Sequence, residues 1–405
     1  MDAAEVRAFG ELGGQVLASP AVTVRDVHAA FAKRVFGALG PIGAPVRVMH
    51  DGISRAAYAS VSAGLRVPLQ AGGRAIASRR LPGGRSMADT TPGAFALGAL
   101  NGMWGDTIAT SHPELAIELS IRKRGRIVTT DSGGLAEAYG EEATGKLAVF
   151  VHGLCENDAS WRGGYGGRLQ RELGYTPLYV RYNTGLHVSD NGRRLAEVLD
   201  HVVGGWPVKV HEVALIGHSM GGLVSRSACH YGDAGGHEWT GKLRHVFCLG
   251  TPHLGAPLER GANALDWALS RLPETKPLGR LLNIRSAGVK DMRYGNCVEE
   301  DWCDCHPDEL LTDRCTEVPF LPSANYYFVG ATLTRDPDHP AARLVGDVLV
   351  QFASASGNGP RRRLPFHIDN GHHVGGINHF QLLNHPSVYE QLRKWLTRRA
   401  LPAAA

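Results

Sequence analysis

The run Val213-Ala-Leu-Ile-Gly-His-Ser-Met-Gly-Gly-Leu-Val224 decides the fold of this 405-residue chain. Its first four residues are apolar, as in a strand covered on both faces. The strand stops at Gly217, Ser219 stands at the bend, and a small-residue helix opens at once. Such a turn holds a serine hydroxyl out of the backbone, where it can attack a carbonyl. In a chain with 51 glycines the bare G-x-S-x-G pattern carries little weight. Its setting carries more. Gly217 and Gly221 relieve the crowding of a strained elbow, and with Gly222 they let the following helix pack close.

Working outward, short and nearly continuous apolar runs recur at 147–152, 177–182, 245–249 and 326–330. Helical patterns lie between and after them, at 163–173, 191–203, 222–231 and 387–396. Regular alternation of this kind predicts an α/β fold with a doubly wound, mostly parallel sheet. A leading hairpin is expected from Leu115–Ile121 and 125–130. Residues 1–140 read differently, as an N-terminal helical region plus that hairpin, with the α/β domain spanning 141–405. Val24, Val27, Phe31 and Val35 mark one helix by their spacing, and a second is expected from Ile53 through Tyr58. Between about 257 and 322, after the sixth strand, the alternation breaks. Leu265, Leu269 and Leu272 outline a helix followed by a Cys-rich loop, which predicts a cap insertion over the carboxyl ends of the strands.

The composition, 43% hydrophobic and 20% charged with a net charge of +4, is that of a globular protein with ample core. Its arginine clusters, 122–124 and 361–363, lack interleaved aromatics, which speaks against nucleic-acid binding. The apolar stretch from Pro92 to Trp104 is too short and glycine-rich to span a bilayer. The early residues lack a signal-peptide pattern, so a cytoplasmic location is expected. Contact of the 24–39 helix with a membrane surface is a secondary expectation.

A serine hydroxyl needs a base to take its proton, an acid to orient that base, and N–H donors for the oxyanion. His379, in the loop Gly375-Gly-Ile-Asn-His-Phe380 before the last helix, is the candidate base. His372 and His373 fall on or beside a strand, and His385 suits a helix cap. Asp347, at a turn with the apolar strand Val348-Leu-Val350 behind it, is the candidate acid, ahead of Asp336, Asp338 and Asp369. The backbone N–H groups of Leu154 and Met220 are the candidate oxyanion donors. Such catalysis calls for no metal and no cofactor.

These motifs, in the order Val151-His-Gly-Leu154, Gly217-His-Ser-Met-Gly-Gly222, Gly250-Thr-Pro-His-Leu-Gly255, Gly346-Asp-Val-Leu-Val350 and Asn378-His-Phe380, resemble those of α/β-hydrolases. More narrowly they are similar to the bacterial lipase/esterase branch whose domain is like that of GPI inositol-deacylases (PGAP1-like). The resemblance covers about 140–400. It implies the α/β-hydrolase fold, hydrolysis of acyl esters or lipids through an acyl-enzyme, and a structural place for His253 on a loop lining the acyl pocket. Acyl transfer by the same residues, or a catalytically silent lipid-binding protein, are the alternatives. Cys297, Cys303, Cys305 and Cys315, beside His306, lack the paired spacing of zinc knuckles. Reduced thiols are expected there, with disulfides or zinc as the other readings. Cys155 lies near the mouth of the expected site.

Overall fold

A computed structural model describes residues 2–39, 44–78, 86–161, 163–256, 285–304, 315–336, 346–360 and 362–398. They divide into two units. The first holds the residues up to Thr90 together with Thr110–Leu115 and Arg285. Its helices α1 (Ala3–Leu39) and α2 (Ala44–Ser78) pack on each other as a hairpin. Both run well beyond the expected helical segments. Their close approach depends on glycine: a Cβ on Gly10 would lie 2.7 Å from the carbonyl oxygen of Leu69 and 3.0 Å from Cα of Gly73. Val24 is exposed, and the side chains of Val27, Phe31 and Val35 lie outside the described residues.

The second unit takes in Thr91–Ala109 and the remaining described residues from Ala116 onward. The boundary read from sequence near residue 140 therefore falls inside it. An eight-stranded sheet runs through this unit in the order β2-β1-β4-β3-β5-β6-β7-β8. The strands are β1 (Ser120–Lys123), β2 (Arg126–Val128), β3 (Lys146–Val151), β4 (Tyr175–Arg181), β5 (Glu212–His218), β6 (Leu243–Leu249), β7 (Asn325–Thr332) and β8 (Gly371–Gly375). All neighbours from β4 to β8 are parallel, and only the β1–β2 hairpin and the β1–β4 pair are antiparallel. The hairpin is shorter than expected, because Pro113–Leu115 forms a 3-10 turn ahead of it.

Both faces of the sheet are covered, which is why its central strands read as unbroken apolar runs. Successive side chains of a strand point to opposite faces. Leu147, Val149 and Val151 of β3 and Val213 and Leu215 of β5 therefore enter one core. They meet Leu135 of α4 (Ser132–Tyr139), Leu195 and Leu199 of α6 (Val188–Gly205), and Leu223 and Val224 of α7 (Met220–Ala234). Ala148, Phe150, Ala214 and Ile216 enter the other. There they meet Leu169 of α5 (Gly166–Leu173) and Val388, Leu392 and Trp395 of the C-terminal helix Pro386–Leu396. Each fully buried side chain of this size contributes about 1.5–3 kcal/mol relative to exposure.

The helix α3 (Thr91–Ser111) contributes to this unit through one glycine face. Gly98 and Gly102, one turn apart, line one side of it, and Gly105 follows the kink at Trp104 (φ −139°, ψ 23°). A Cβ on Gly98 would stand 2.8 Å from the carbonyl oxygen of Glu156, one on Gly102 would run into Cys155 Sγ, and one on Gly105 into Asn183. The segment from Pro92 to Trp104, read above only as apolar, thus braces the loop after β3.

The expected cap falls largely on 257–284 and 305–314, which lie outside the described residues, as do Cys305 and His306. Its described parts belong to the main core: Met292, Cys297, Val298, Val318 and Leu321 are buried with the α6–α7 side of the sheet. The short helix Ala287–Asp291 sits against the loop after β4, where Gly288 closely approaches the carbonyls of Thr184 and Leu186. Asp291 accepts the N–H of Val188 at 2.8 Å and faces His187 Nδ1 at 3.1 Å.

Candidate active site

The elbow is built by backbone contact. At Ser219 the backbone takes φ 52° and ψ −123°, a conformation costing a side-chain-bearing residue about 1–3 kcal/mol. Its neighbours have to be glycine. A Cβ on Gly217 would lie 2.5 Å from backbone atoms of Gly221 and Gly222, one on Gly221 would strike the carbonyl of Val151, and one on Gly222 would strike Thr251. The N–H of Ser219 donates to the carbonyl of Leu249 at 2.8 Å, pinning the turn to the end of β6. Gly217→Ala is accordingly expected to destabilise the protein by about 3 kcal/mol, read as a lower urea midpoint with an unchanged m-value.

His379 and Asp347 meet. Nδ1 of His379 lies 2.7 Å from Oδ2 of Asp347, and both side chains are buried. The main chains also join, with the His379 N–H donating to the Asp347 carbonyl at 3.1 Å. The other oxygen of Asp347, Oδ1, accepts the N–H groups of Leu349 and Val350 at 3.1 and 2.8 Å. Asp347 stands in a tight turn between Gly346 (φ 64°) and Val348 (φ 95°). The expected strand behind it is absent among the described residues, because its own carboxylate caps the N–H groups that a strand would have paired. The His379 ring packs against Gly250, whose Cβ would lie 3.0–3.1 Å from it. Since Gly250 follows Leu249, that ring sits beside the residue holding the Ser219 N–H. Nε2 of His379 is buried and has no hydrogen-bond partner among the described residues.

Leu154 follows Gly153, whose Cβ would lie 2.9 Å from Ser219 Cβ, and Met220 follows Ser219 itself. Met220 opens α7, so its N–H is one of the donors a helix leaves unpaired at its start. In the turn after β3, the N–H groups of Gly153, Cys155 and Glu156 are committed to Glu156 Oε2, Thr184 Oγ1 and the Gly153 carbonyl. That of Leu154 has no partner among the described residues. The turn itself is held by His152, whose Nδ1 donates to the Gly153 carbonyl at 2.9 Å. Its ring stacks on Tyr182, whose hydroxyl donates to the His152 carbonyl at 2.7 Å. Burial pushes the His152 imidazole down to about 4, so it is neutral and structural.

The rival residues lie elsewhere. His372 and His373 are on β8, and His385 caps the last helix through Ser387 N–H. Asp369 is exposed in a 3-10 turn and Asp336 is exposed, while Asp338 lies outside the described residues. His253 is fully buried, with Nδ1 facing Arg226 Nη1 at 3.3 Å. Burial and then the nearby Arg226 and Arg362 push its imidazole well below the ordinary range, consistent with the structural place expected for it.

A pair that the motif reading overlooked adjoins the elbow. Glu156 and His218 are buried, with Glu156 Oε1 and His218 Nδ1 3.0 Å apart. Burial raises the Glu156 carboxyl, but the adjacent His218 and the N–H of Gly153 outweigh it and hold the group at about 2. For His218 burial works downward, and the Glu156 charge overcomes it, so the imidazole is raised. Cys155, Cys297 and Cys303 are free thiols. Among the described residues no three His, Cys, Asp or Glu side chains gather as a metal site requires. No helix among them is long and apolar enough to cross a membrane.

Residues 165–305 match the PGAP1-like alpha/beta domain family. Among curated proteins no relative matches the chain. Among solved structures, the mature Bacillus licheniformis lipase BlEst2 is 21% identical with a TM-score of 0.41, covering 62% of this chain and 92% of its own. Lipase 1 from Pelosinus fermentans is 14% identical with a TM-score of 0.39, covering 64% of this chain and all of its own. A Pyrococcus furiosus esterase is 15% identical with a TM-score of 0.36, covering 64% and 84%. The parallel sheet from β4 to β8, its helices on both faces and the serine elbow between β5 and α7 make this chain an α/β-hydrolase-fold protein, similar over residues 165–305 to the PGAP1-like alpha/beta domain.

Proposed function

We propose that the protein is a serine hydrolase of carboxylic esters, lipase- or esterase-like, acting through Ser219, His379 and Asp347. The observation that carries this reading is the buried Asp347–His379 pair placed beside a strained serine elbow, with the second imidazole nitrogen unengaged. Nε2 of His379 takes the hydroxyl proton as Ser219 Oγ bonds to the ester carbonyl carbon. Catalytic hydrogen bonds of this kind tighten when substrate binds. Asp347 holds the Nδ1–H tautomer and stabilises the imidazolium. The N–H groups of Leu154 and Met220 donate to the oxyanion, a contribution worth about 10²–10³ in turnover per donor. Collapse of the tetrahedral adduct expels the alcohol, which leaves with the proton carried by His379. Water, deprotonated by the same imidazole, then releases the acid and restores Ser219.

The substrate class is an acyl ester of a lipid or small alcohol. A fluorophosphonate probe is expected to label the purified protein at Ser219, and a p-nitrophenyl ester series from short to long acyl chains is expected to be hydrolysed. Absence of both labelling and hydrolysis would overturn the reading. Labelling with products formed only when an acceptor alcohol is supplied would convert it to acyl transfer.

A further inference from the structure

The Glu156–His218 pair lies where three loops of the site converge. Glu156 Oε2 accepts the Gly153 N–H at 2.7 Å, one residue before the Leu154 donor. Its carboxylate faces His218 Nδ1, and His218 is the residue immediately before Ser219. The remaining nitrogen, Nε2 of His218, lies 3.2 Å from the backbone carbonyl of His379. A Cβ on Gly153 would touch Ser219 Cβ at 2.9 Å and both members of the pair at 3.2 Å, so nothing separates these groups. We propose that Glu156 and His218 are positioning residues, a second buried carboxylate–imidazole pair that fixes the oxyanion turn, the elbow and the main chain of the base in one register. This assignment rests on the ester-hydrolase reading of the same site.

The alternative is a pair that merely stabilises the fold. Two features distinguish it. First, the hydrogen bonds of the pair into the site run to backbone groups, the Gly153 N–H and the carbonyl of His379. Its loss would shift reacting groups by fractions of an ångström without removing any of them. Second, a charged His218 presents its positive ring to His379, with ring centroids 4.7 Å apart. Around this ring stand Glu156, the His379 carbonyl and ring, the Asp347 charge, and the edge of Trp161 at 6.3 Å. On the far side of Glu156 lies neutral His152, and the nearby Asp158 is neutralised by Arg181 Nε at 2.5 Å. The pair therefore places the main chain of His379 and packs against its ring.

Glu156→Gln keeps the shape and an oxygen for the Gly153 N–H while removing the charge that sustains protonated His218. The expected result is a kcat about 10–100-fold lower with KM within about threefold, as for other supporting partners of catalytic groups. Imidazole ¹⁵N NMR of the wild type at pH 6 is expected to show both His218 ring nitrogens protonated. His218→Gln, which keeps a donor towards the His379 carbonyl but cuts the link to Glu156, is expected to show the same loss of kcat. A folded Glu156→Gln protein with kcat within twofold would overturn the proposal, as would a singly protonated His218 in the wild type. Should Glu156→Gln not fold, His218→Gln and the wild-type spectrum decide. A wild type that neither takes fluorophosphonate nor hydrolyses the esters sinks the hydrolase reading together with this one, whereas an active wild type with an indifferent Glu156→Gln sinks this one alone.

Discussion

Ser219→Ala is expected to lower kcat for ester hydrolysis by about 10⁶ and to abolish fluorophosphonate labelling. Alanine keeps the Cβ, so the backbone at φ 52° is no more strained than before, and the N–H bond to Leu249 survives. Only the hydroxyl disappears. The loss should therefore appear in turnover with little change in the melting temperature. Residual catalysis of about 10³–10⁴ over water would remain, since Leu154, Met220 and the binding surface are untouched. Labelling that persists in Ser219→Ala, or a loss of less than about a hundredfold, would assign the chemistry to another residue.

Asp347→Asn is expected to cost about 10⁴ in kcat. The environment of Asp347 makes the direction unambiguous. The N–H groups of Leu349 and Val350 both point at Oδ1, so an asparagine places its carbonyl oxygen there. Its NH₂ group must then face Nδ1 of His379, where the carboxylate oxygen stood at 2.7 Å. Two donors cannot share that contact, so His379 carries its proton on Nε2 and can no longer accept one from Ser219. The measurement is kcat and KM across pH on a variant whose unfolding temperature shows it intact. A loss of less than tenfold would mean that Asp347 orients nothing that matters to the reaction.

Much of the fold and several candidate groups were legible in the sequence because they rest on local rules. Strand runs covered on both faces, the glycines of the elbow and the order Ser219, Asp347, His379 each follow from spacing and residue type. The turn read at Asp347 is present, whereas the strand expected behind it is a further turn whose N–H groups Asp347 Oδ1 accepts. What escaped notice is non-local. Glu156 looks like an ordinary loop carboxylate until the parallel pairing of β3 with β5 sets their ends side by side and brings His218 to it. His218 itself was passed over as the variable position of a G-x-S-x-G pattern. The boundary near residue 140 missed α3 for a similar reason: an apolar stretch bearing glycines gives no hint of which loop it will meet.

The glycine face of α3 has a consequence for where this protein can tolerate change. Gly98 and Gly102 abut the main chain and thiol of residues 155–156, directly after the turn that carries the Leu154 N–H. Cys155 there adopts φ 60°, a shape enforced from outside. Any side chain larger than hydrogen at those two positions would push on the turn after β3 while leaving Ser219, Asp347 and His379 unchanged. A mutational scan scored by activity should thus light up a helix that precedes the first recognisable motif. Variation there would alter rate in a gene whose diagnostic residues all look normal.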